Sequence, residues 1–278
     1  MGTGCSVDKP SQSRTSEEAT YRNNPQSLEK EKGSNLDELK SKAVEKEAEK
    51  AKEETGDGAK LYEVSSKKAI QVKLPHNCEA ILREADSPLD WSSLDKLYDQ
   101  LLTGVSLKQK RKKYWIEKKS NSNCFMLLAR YLSITWSENN LYWKWSSLKE
   151  TSTDTAVDVA ELLNVCWLEV HANFNMAYLS PGVVYEVLFV IMMRDTSSGW
   201  DVPVNVRLTF PNGIKQEHQE NFKTQPRGLW MEIPVGEVVS TPDNNAGQME
   251  IYMYEYKDGK WKTGLVIKGV IIRPINRS

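Results

Sequence analysis

The first 60 residues contain almost no large apolar side chains. They include a single aromatic residue, Tyr21, whereas all nine tryptophans lie from Trp91 onward, and they carry 11 Lys/Arg against 13 Asp/Glu. A segment this poor in apolar groups cannot bury enough surface to offset the entropy of the chain. We therefore predict a disordered, charged tail over residues 1–60. Between about Ser34 and Glu54 it is expected to be partly helical, because strong helix formers dominate there.

Cysteine is scarce as well, and it forms no recognisable framework. The four cysteines are widely spaced, without any C-x-x-C pair or Cys/His cluster, which argues against a zinc site and against a disulfide-rich secreted scaffold. No run of 18 apolar residues is present that would span a bilayer, and no apolar stretch near the N-terminus resembles a secretory signal. The sequence predicts a reduced, intracellular, soluble protein that needs no metal and no cofactor.

Motifs of common enzymes are missing too. The chain has no G-x-S-x-G, no H-E-x-x-H and no glycine-rich phosphate loop. Its three histidines are far apart, and Glu232 and Glu237 are expected on opposite faces of a strand, which gives little support to paired-carboxylate chemistry. We predict that the chain is not an enzyme.

The chain begins with MGTGCS, which fits the pattern for N-myristoylation with Gly2 as the acceptor. Cys5 is placed to carry a second, reversible acyl chain, and two chains hold a protein at a membrane better than one. The alternative interpretation is a disordered start that matches a loose pattern by chance.

Residues 61–111 are predicted to form a linker that contains a short helix near residues 92–103. Ser92 or Ser93 can cap this helix, and Gly104 can end it. The cluster KQKRKKYW follows, with a basic run from Lys108 to Lys113 beside two aromatic residues. Such a cluster serves as a nuclear address or a polyanion-binding patch, or it is an ordinary solvated surface segment.

From Asn123 onward the apolar residues recur with a period of two. Val204 to Phe210, Leu229 to Val235 and Cys166 to Val170 each alternate apolar with other side chains, as half-buried antiparallel strands do. Residues 183–193 are apolar on both faces, which indicates a central strand. Turn-forming residues separate these runs, so the sequence predicts an all-β antiparallel sandwich of the jelly-roll type.

One short stretch, SITWSENNLYWKW, concentrates aromatic residues. A two-residue turn at Asn139-Asn140 would pair Trp136 with Trp143 and place Trp145 on the same face. An indole slab beside polar loop residues suits a sugar ring, whose C–H face packs on an aromatic ring while its hydroxyl groups form hydrogen bonds. The alternative is that these tryptophans belong to the core. The candidate sugar-binding residues here are Trp136, Tyr142, Trp143, Glu138 and Asn139.

The chain also resembles a known family. CFMLLARYLSITWSENNLYWKW, AELLNVCWLEVHANF, YEVLFVIMM, GLWMEIPVGEV, MEIYMYEY and WKTGLVIKGVIIRPIN occur in the order found in the phloem protein 2 (Nictaba-like) lectin domain, and the segment upstream resembles the A-type members. The resemblance extends this domain over residues 112–278. It implies a jelly-roll lectin that binds N-acetylglucosamine oligomers and the core of N-glycans, with Trp136 and Trp143 as the sugar-binding tryptophans and Glu232 as a weaker candidate.

Partners and location are also implied by the resemblance. Family members form homodimers, associate with phloem filaments, and in some cases bind RNA. A cytoplasmic place in sieve elements or companion cells, with nuclear or membrane-associated pools as alternatives, and a role in phloem or defence follow from it. A structural or RNA-binding phloem protein with little sugar binding is the alternative function.

Two departures from the family pattern bear on specificity. Tyr131 stands where the Nictaba-like branch has Asp, so sugar preference or affinity is expected to differ. The internal lysine run of that branch has no counterpart between Gly213 and Lys223, and only the upstream basic cluster is placed to substitute for it.

Overall fold

The computed structural model describes residues 74–149, 156–241 and 246–275. The predictions for the tail over residues 1–60, for its helix, and for acylation at Gly2 and Cys5 lie outside the described residues. Within the described part of the chain, no helix combines the length and the apolar character needed to cross a bilayer.

The described residues fall into two compact units, and the smaller of them includes Ser87–Thr103. Its helix α2 (Leu94–Thr103) occupies the position predicted for a short helix. The Ser93 hydroxyl accepts a hydrogen bond from the backbone N–H three residues later at 3.3 Å, as an N-cap residue does. Gly104, with φ of 103°, follows the last helical residue in a conformation that favours glycine.

The larger unit comprises Pro75–Asp86 and the chain from Gly104 onward. Its described residues form one short α-helix, α1 (Cys78–Leu82), two 3-10 helices (Ala129–Tyr131 and Met176–Tyr178) and two antiparallel sheets. The strands are β1 (Val105–Leu107), β2 (Lys112–Ile116), β3 (Asn123–Leu128), β4 (Ser133–Ile134), β5 (Trp143–Lys149), β6 (Ala156–Leu162), β7 (Leu168–Asn175), β8 (Val184–Ser198), β9 (Val204–Thr209), β10 (Lys215–Glu220), β11 (Trp230–Val239), β12 (Gln248–Glu255) and β13 (Thr263–Pro274).

The two sheets form a curled sandwich, which confirms the predicted fold class. The eight-stranded sheet contains the order β1-β2-β3-β13-β6-β5. Strand β8 pairs with β13 along the edge opposite to β3 and β6, and β11 pairs with β8. The five-stranded sheet runs β10-β9-β12-β7-β4. Strand β8 has β11 and β13 as its neighbours, so the apolar run predicted as a central strand is one.

The period-two patterns indicate the buried faces correctly on most strands. In β9 the residues Val204, Val206 and Leu208 are fully buried, and in β7 the alternation puts Leu168 and Val170 in the core. Removing these apolar faces from water is the main driving force for packing the two sheets together.

The prediction for the run from Leu229 to Val235 is partly wrong. Leu229 precedes β11 and is 61% exposed, so it does not belong to the buried face. A register shift between Pro234 and Gly236 then changes the phase of the strand, and Val238 becomes the next buried residue after Val235. A β-bulge of this kind adds one residue to one strand, which an alternation pattern cannot anticipate.

Candidate functional site

The aromatic stretch forms the edge of the sandwich, where a loop connects the two sheets. We call residues 135–142 the Trp136 loop. Strand β4, before the loop, pairs with β7 in the five-stranded sheet, and β5, after it, pairs with β6 in the eight-stranded sheet. The predicted hairpin that pairs Trp136 with Trp143 is therefore wrong. The two flanking segments belong to different sheets, and each forms its ladder with another strand.

The Trp136 loop is held by its own backbone hydrogen bonds. The N–H of Ser137 donates to the carbonyl of Ile134 at 3.1 Å, and the N–H of Asn139 donates to the carbonyl of Trp136 at 3.0 Å. The Asn139 side-chain oxygen accepts from the N–H of Leu141 at 3.0 Å, so this side chain stabilises a turn. Asn139 thus contributes to the shape of the loop.

Trp136 has a backbone conformation that is rare for a bulky residue. Its φ is 61°, in the left-handed region. Such outliers persist only where the surrounding structure holds them, and they concentrate at functional sites. The Trp136 ring is half-buried and contacts the Tyr142 ring, with centroids 5.4 Å apart and planes inclined by 41°. Glu138 and Asn140 are exposed on the same loop. The structure thus brings together Trp136, Tyr142, Glu138 and Asn139 from the predicted set.

Trp143 lies beneath the loop rather than on its surface. Its side chain is 2% exposed, and its indole N–H donates to the carbonyl oxygen of Thr135 at 3.1 Å. Trp145, two residues along β5, donates in the same way to the carbonyl oxygen of Ser137 at 3.0 Å. The expectation that Trp143 presents its ring face to a ligand is corrected by this burial. Both indoles instead connect the eight-stranded sheet, through β5, to the loop that follows β4 of the five-stranded sheet.

Glu232 lies far from the Trp136 loop. It is on β11, and strands β8, β13 and β6 lie between β11 and β5. At about 4.8 Å per strand, Glu232 is therefore on the order of 19 Å from β5, measured across the sheet. Its carboxylate accepts two hydrogen bonds from Arg273, at 2.8 and 2.6 Å. That pairing, followed by the contact with Glu186, raises the pKa of Arg273. Glu232 therefore belongs to an ion cluster on another part of the sheet.

Tyr131 and the basic cluster contact each other. The Lys112 ammonium group lies 5.3 Å from the Tyr131 ring centroid and 2.5 Å from the carboxylate of Glu84. Lys112 is only 5% exposed, and burial lowers its pKa despite the carboxylate. Lys108 pairs with the same Glu84 at 3.1 Å, and Tyr114 is fully buried. Part of the cluster is therefore neither a free cationic patch nor a solvated segment, because two of its cations pair with Glu84 and β2 buries its alternate residues.

A second aromatic group, missed by the sequence reasoning, lies on the outer face of the five-stranded sheet. Tyr252, Tyr254 and Tyr256 alternate with core residues of β12. Trp167 stacks on Tyr256, with ring centroids 4.2 Å apart and planes 11° from parallel. The guanidinium carbon of Arg207 is 4.5 and 5.1 Å from the centroids of Tyr252 and Tyr254. We call this group the tyrosine face. The spacing of two between the tyrosines was the available signal, because it places all three on one side of a strand.

The polar atoms of the tyrosine face bond to carboxylates. The indole N–H of Trp167 donates to Glu169 at 2.9 Å, and the Tyr254 hydroxyl donates to Glu217. Burial, followed by this bond to Glu217, raises the pKa of Tyr254 to about 12. Among the described residues, no three His, Cys, Asp or Glu side chains are grouped as metal ligands would be.

Comparison with known proteins gives consistent matches. The family model for Phloem protein 2 matches residues 122–274. The chain is 48% identical over 211 residues to the Arabidopsis thaliana protein PHLOEM PROTEIN 2-LIKE A1, covering 74% of this chain and 84% of that protein. It is 41% identical over 205 residues to a protein named Lectin from Luffa acutangula, covering 73% and 96%. A protein named Lectin from Coccinia grandis is 28% identical over 151 residues, covering 54% and 94%.

Proposed function

Because the chain belongs to the phloem protein 2 family, we propose that it is a lectin whose binding site is centred on the Trp136 loop. Two of the similar proteins bear the name Lectin, and membership of this family agrees with the prediction that the chain is not an enzyme. The observation that carries the proposal is the half-buried pair of Trp136 and Tyr142, held on a hydrogen-bonded loop that also exposes Glu138 and Asn140.

The proposed ligands are N-acetylglucosamine oligomers and the core of N-glycans, as the family resemblance implies. A pyranose ring packs its C–H face on the Trp136–Tyr142 pair, and its hydroxyl or acetamido groups bond to polar loop residues. Each ring contact of this kind contributes on the order of 1 kcal/mol. One shallow site therefore gives a Kd between roughly millimolar and micromolar, and glycoproteins with several glycans, or a homodimer of this chain, would raise the apparent affinity.

Trp143 has a positioning role in this proposal. Its buried indole and the half-buried indole of Trp145 donate to the carbonyl groups of Thr135 and Ser137, on either side of Trp136. The backbone of Trp136 is strained, and these bonds help to keep it in the binding conformation.

Calorimetric titration with N,N′,N″-triacetylchitotriose tests the proposal. We expect Trp136→Ala and Tyr142→Ala each to weaken binding by about tenfold, which corresponds to the loss of roughly 1.4 kcal/mol. Trp230→Ala is the matched control, because Trp230 is 40% exposed on β11, far from the loop. Thermal melting establishes that each variant is folded. Wild-type affinity in both loop variants would place the binding site elsewhere.

A further inference from the structure

The Trp136 loop and the tyrosine face meet at strand β7. The backbone N–H of Thr135 donates to the carbonyl oxygen of Glu169 at 3.0 Å, so the loop begins as a continuation of the β4–β7 ladder. Trp167 precedes Glu169 by two residues, and both side chains point to the outer face of the five-stranded sheet. Thr135 lies opposite Glu169, so with strands about 4.8 Å apart and residues about 3.3 Å apart along a strand, the backbones of Thr135 and Trp167 are on the order of 8 Å apart.

The Trp167 ring has one covered face. Tyr256 stacks on it from the side of β12, whereas β4 and the Trp136 loop lie on the opposite side of β7. The other face of this half-buried ring therefore lies on the side of β7 that carries β4 and the loop. Its indole N–H is bonded to Oε2 of Glu169, which fixes the ring in this orientation. Tyr256 behind the ring and Glu169 beside it thus hold Trp167 as a rigid aromatic surface.

We propose that Trp167 and Glu169 form a second sugar subsite, which binds the later rings of an oligosaccharide whose first two rings lie on the Trp136 loop. This inference rests on the proposed function and extends it from one contact to a line of contacts across the edge of the sheet. The C–H face of a sugar ring packs on Trp167. The Glu169 carboxylate, an acceptor with two oxygens, accepts a hydrogen bond from a sugar hydroxyl while it keeps the bond from Trp167.

The subsite predicts a dependence of affinity on ligand length. A ligand that covers only the Trp136 loop does not reach Trp167, whereas a longer oligomer contacts both. Wild-type protein is therefore expected to bind pentaacetylchitopentaose about tenfold more tightly than diacetylchitobiose. Trp167→Ala removes this gain and leaves the affinity for diacetylchitobiose within about twofold of the wild-type value.

Calorimetric titration of the full chain with both ligands is the experiment. Glu169→Gln retains an acceptor for the Trp167 N–H but loses the charge, so we expect it to remove part of the gain. Trp167→Phe keeps a ring against Tyr256 and is expected to retain most of the gain. Trp136→Ala weakens the binding of both ligands, and the control Trp230→Ala weakens neither.

The outcomes separate the subsite from the proposed function. If wild-type protein binds neither oligomer, both proposals are overturned. If both oligomers bind and Trp167→Ala keeps the wild-type ratio of affinities, the subsite alone is overturned. Should Trp167→Ala fail to fold, as thermal melting would reveal, Glu169→Gln decides the matter: an unchanged ratio of affinities overturns the subsite, and a reduced ratio supports it.

Discussion

The indole nitrogen of Trp143 donates a hydrogen bond to the carbonyl oxygen of Thr135 across the edge between the two sheets, at 3.1 Å. Trp143 belongs to the eight-stranded sheet through β5, and Thr135 continues β4 of the five-stranded sheet. The Trp143 side chain, together with that of Trp145, thereby connects the eight-stranded sheet to the loop proposed to bind sugar.

Replacing Trp143 is expected to affect stability first. Trp143→Ala should lower the free energy of unfolding by about 3–5 kcal/mol, because it leaves a large cavity at a buried position. Trp143→Phe should cost less, since it keeps most of the volume but loses the bond to Thr135. Urea unfolding measures both, with Trp230→Ala as the control at a half-exposed position. Equal costs for Trp143→Ala and Trp230→Ala would contradict the burial of Trp143.

Two glycines with the same backbone angle should respond differently to alanine. Gly199 and Gly213 both have φ of 82°, so each Gly→Ala change adds about 1 kcal/mol of backbone strain. A Cβ at Gly213 meets nothing within 4 Å, whereas a Cβ at Gly199 would overlap the carbonyl oxygen of Trp261. We expect Gly199→Ala to cost about 1–3 kcal/mol more than Gly213→Ala in urea unfolding. Similar midpoints for the two variants would show that the turn before β9 relaxes freely.

Lys262 should be sensitive to the loss of its charge. It is fully buried and pairs with Glu255, which is also buried, and with Asp258 at 2.9 Å. Lys262→Met leaves the carboxylates unpaired and should lower the free energy of unfolding by about 3–5 kcal/mol. The double variant Lys262→Met/Glu255→Gln removes the more deeply buried of the two unpaired carboxylates and should recover part of that loss. No recovery would mean that packing of the lysine stem dominates.

The same cluster predicts a pH dependence. Burial by itself would raise the pKa of Asp258, but the hydrogen bonds from Lys262 and from the N–H of Lys260 outweigh it and hold the pKa below its ordinary 3.8. Because the pKa is lower in the folded state, the ionised Asp258 stabilises the fold above that ordinary value, and the stabilisation is lost as pH falls through the folded pKa. The difference in unfolding free energy between wild type and Asp258→Asn should be constant from about pH 5 to 7 and shrink below about pH 4. A difference that grows on acidification would contradict this assignment.

Cys124 should resist alkylation in the folded protein. Its side chain is buried in β3, and burial raises the pKa of its thiol to about 12, so almost no thiolate is present at neutral pH. Mass spectrometry after iodoacetamide treatment at about pH 8 should find Cys124 unmodified without denaturant and modified in guanidinium. Rapid labelling of the native protein at Cys124 would show that β3 opens readily.

The sequence predicted the sandwich well because the period of two reports burial directly. The core contains Val204, Val206, Leu208, Leu168 and Val170, as their spacing of two requires. Ser93 caps the expected helix. The predicted hairpin at Trp136 was wrong for a reason that local spacing does not reveal. Strand β4 pairs with β7, which is distant in the sequence, and β5 pairs with β6, the strand that follows it. Neither segment therefore pairs with the other across Asn139-Asn140.

The candidate site was predicted only in part. The clustering of aromatic residues led correctly to the loop that carries Trp136 and Tyr142, yet it could not tell the surface ring from the supporting ring, Trp143. Glu232 was misplaced because proximity across a sheet depends on strand order. Trp167 lies 31 positions beyond Trp136 in the sequence, and only the pairing of β4 with β7 brings it beside the loop.

Strand β13 has consequences for how the chain reaches its folded state. It pairs with β3, β6 and β8, so it joins parts of the eight-stranded sheet that do not pair with one another. Yet it follows all the other described strands in the order of synthesis. When β1 to β12 have been synthesised, the edges of β3, β6 and β8 that pair with β13 are still unpaired. Exposed strand edges of this kind promote aggregation. Nascent chains are therefore expected to depend on chaperones until residue 274 has emerged, and a supplied peptide spanning Thr263–Pro274 would be the natural partner for a fragment that stops short of it.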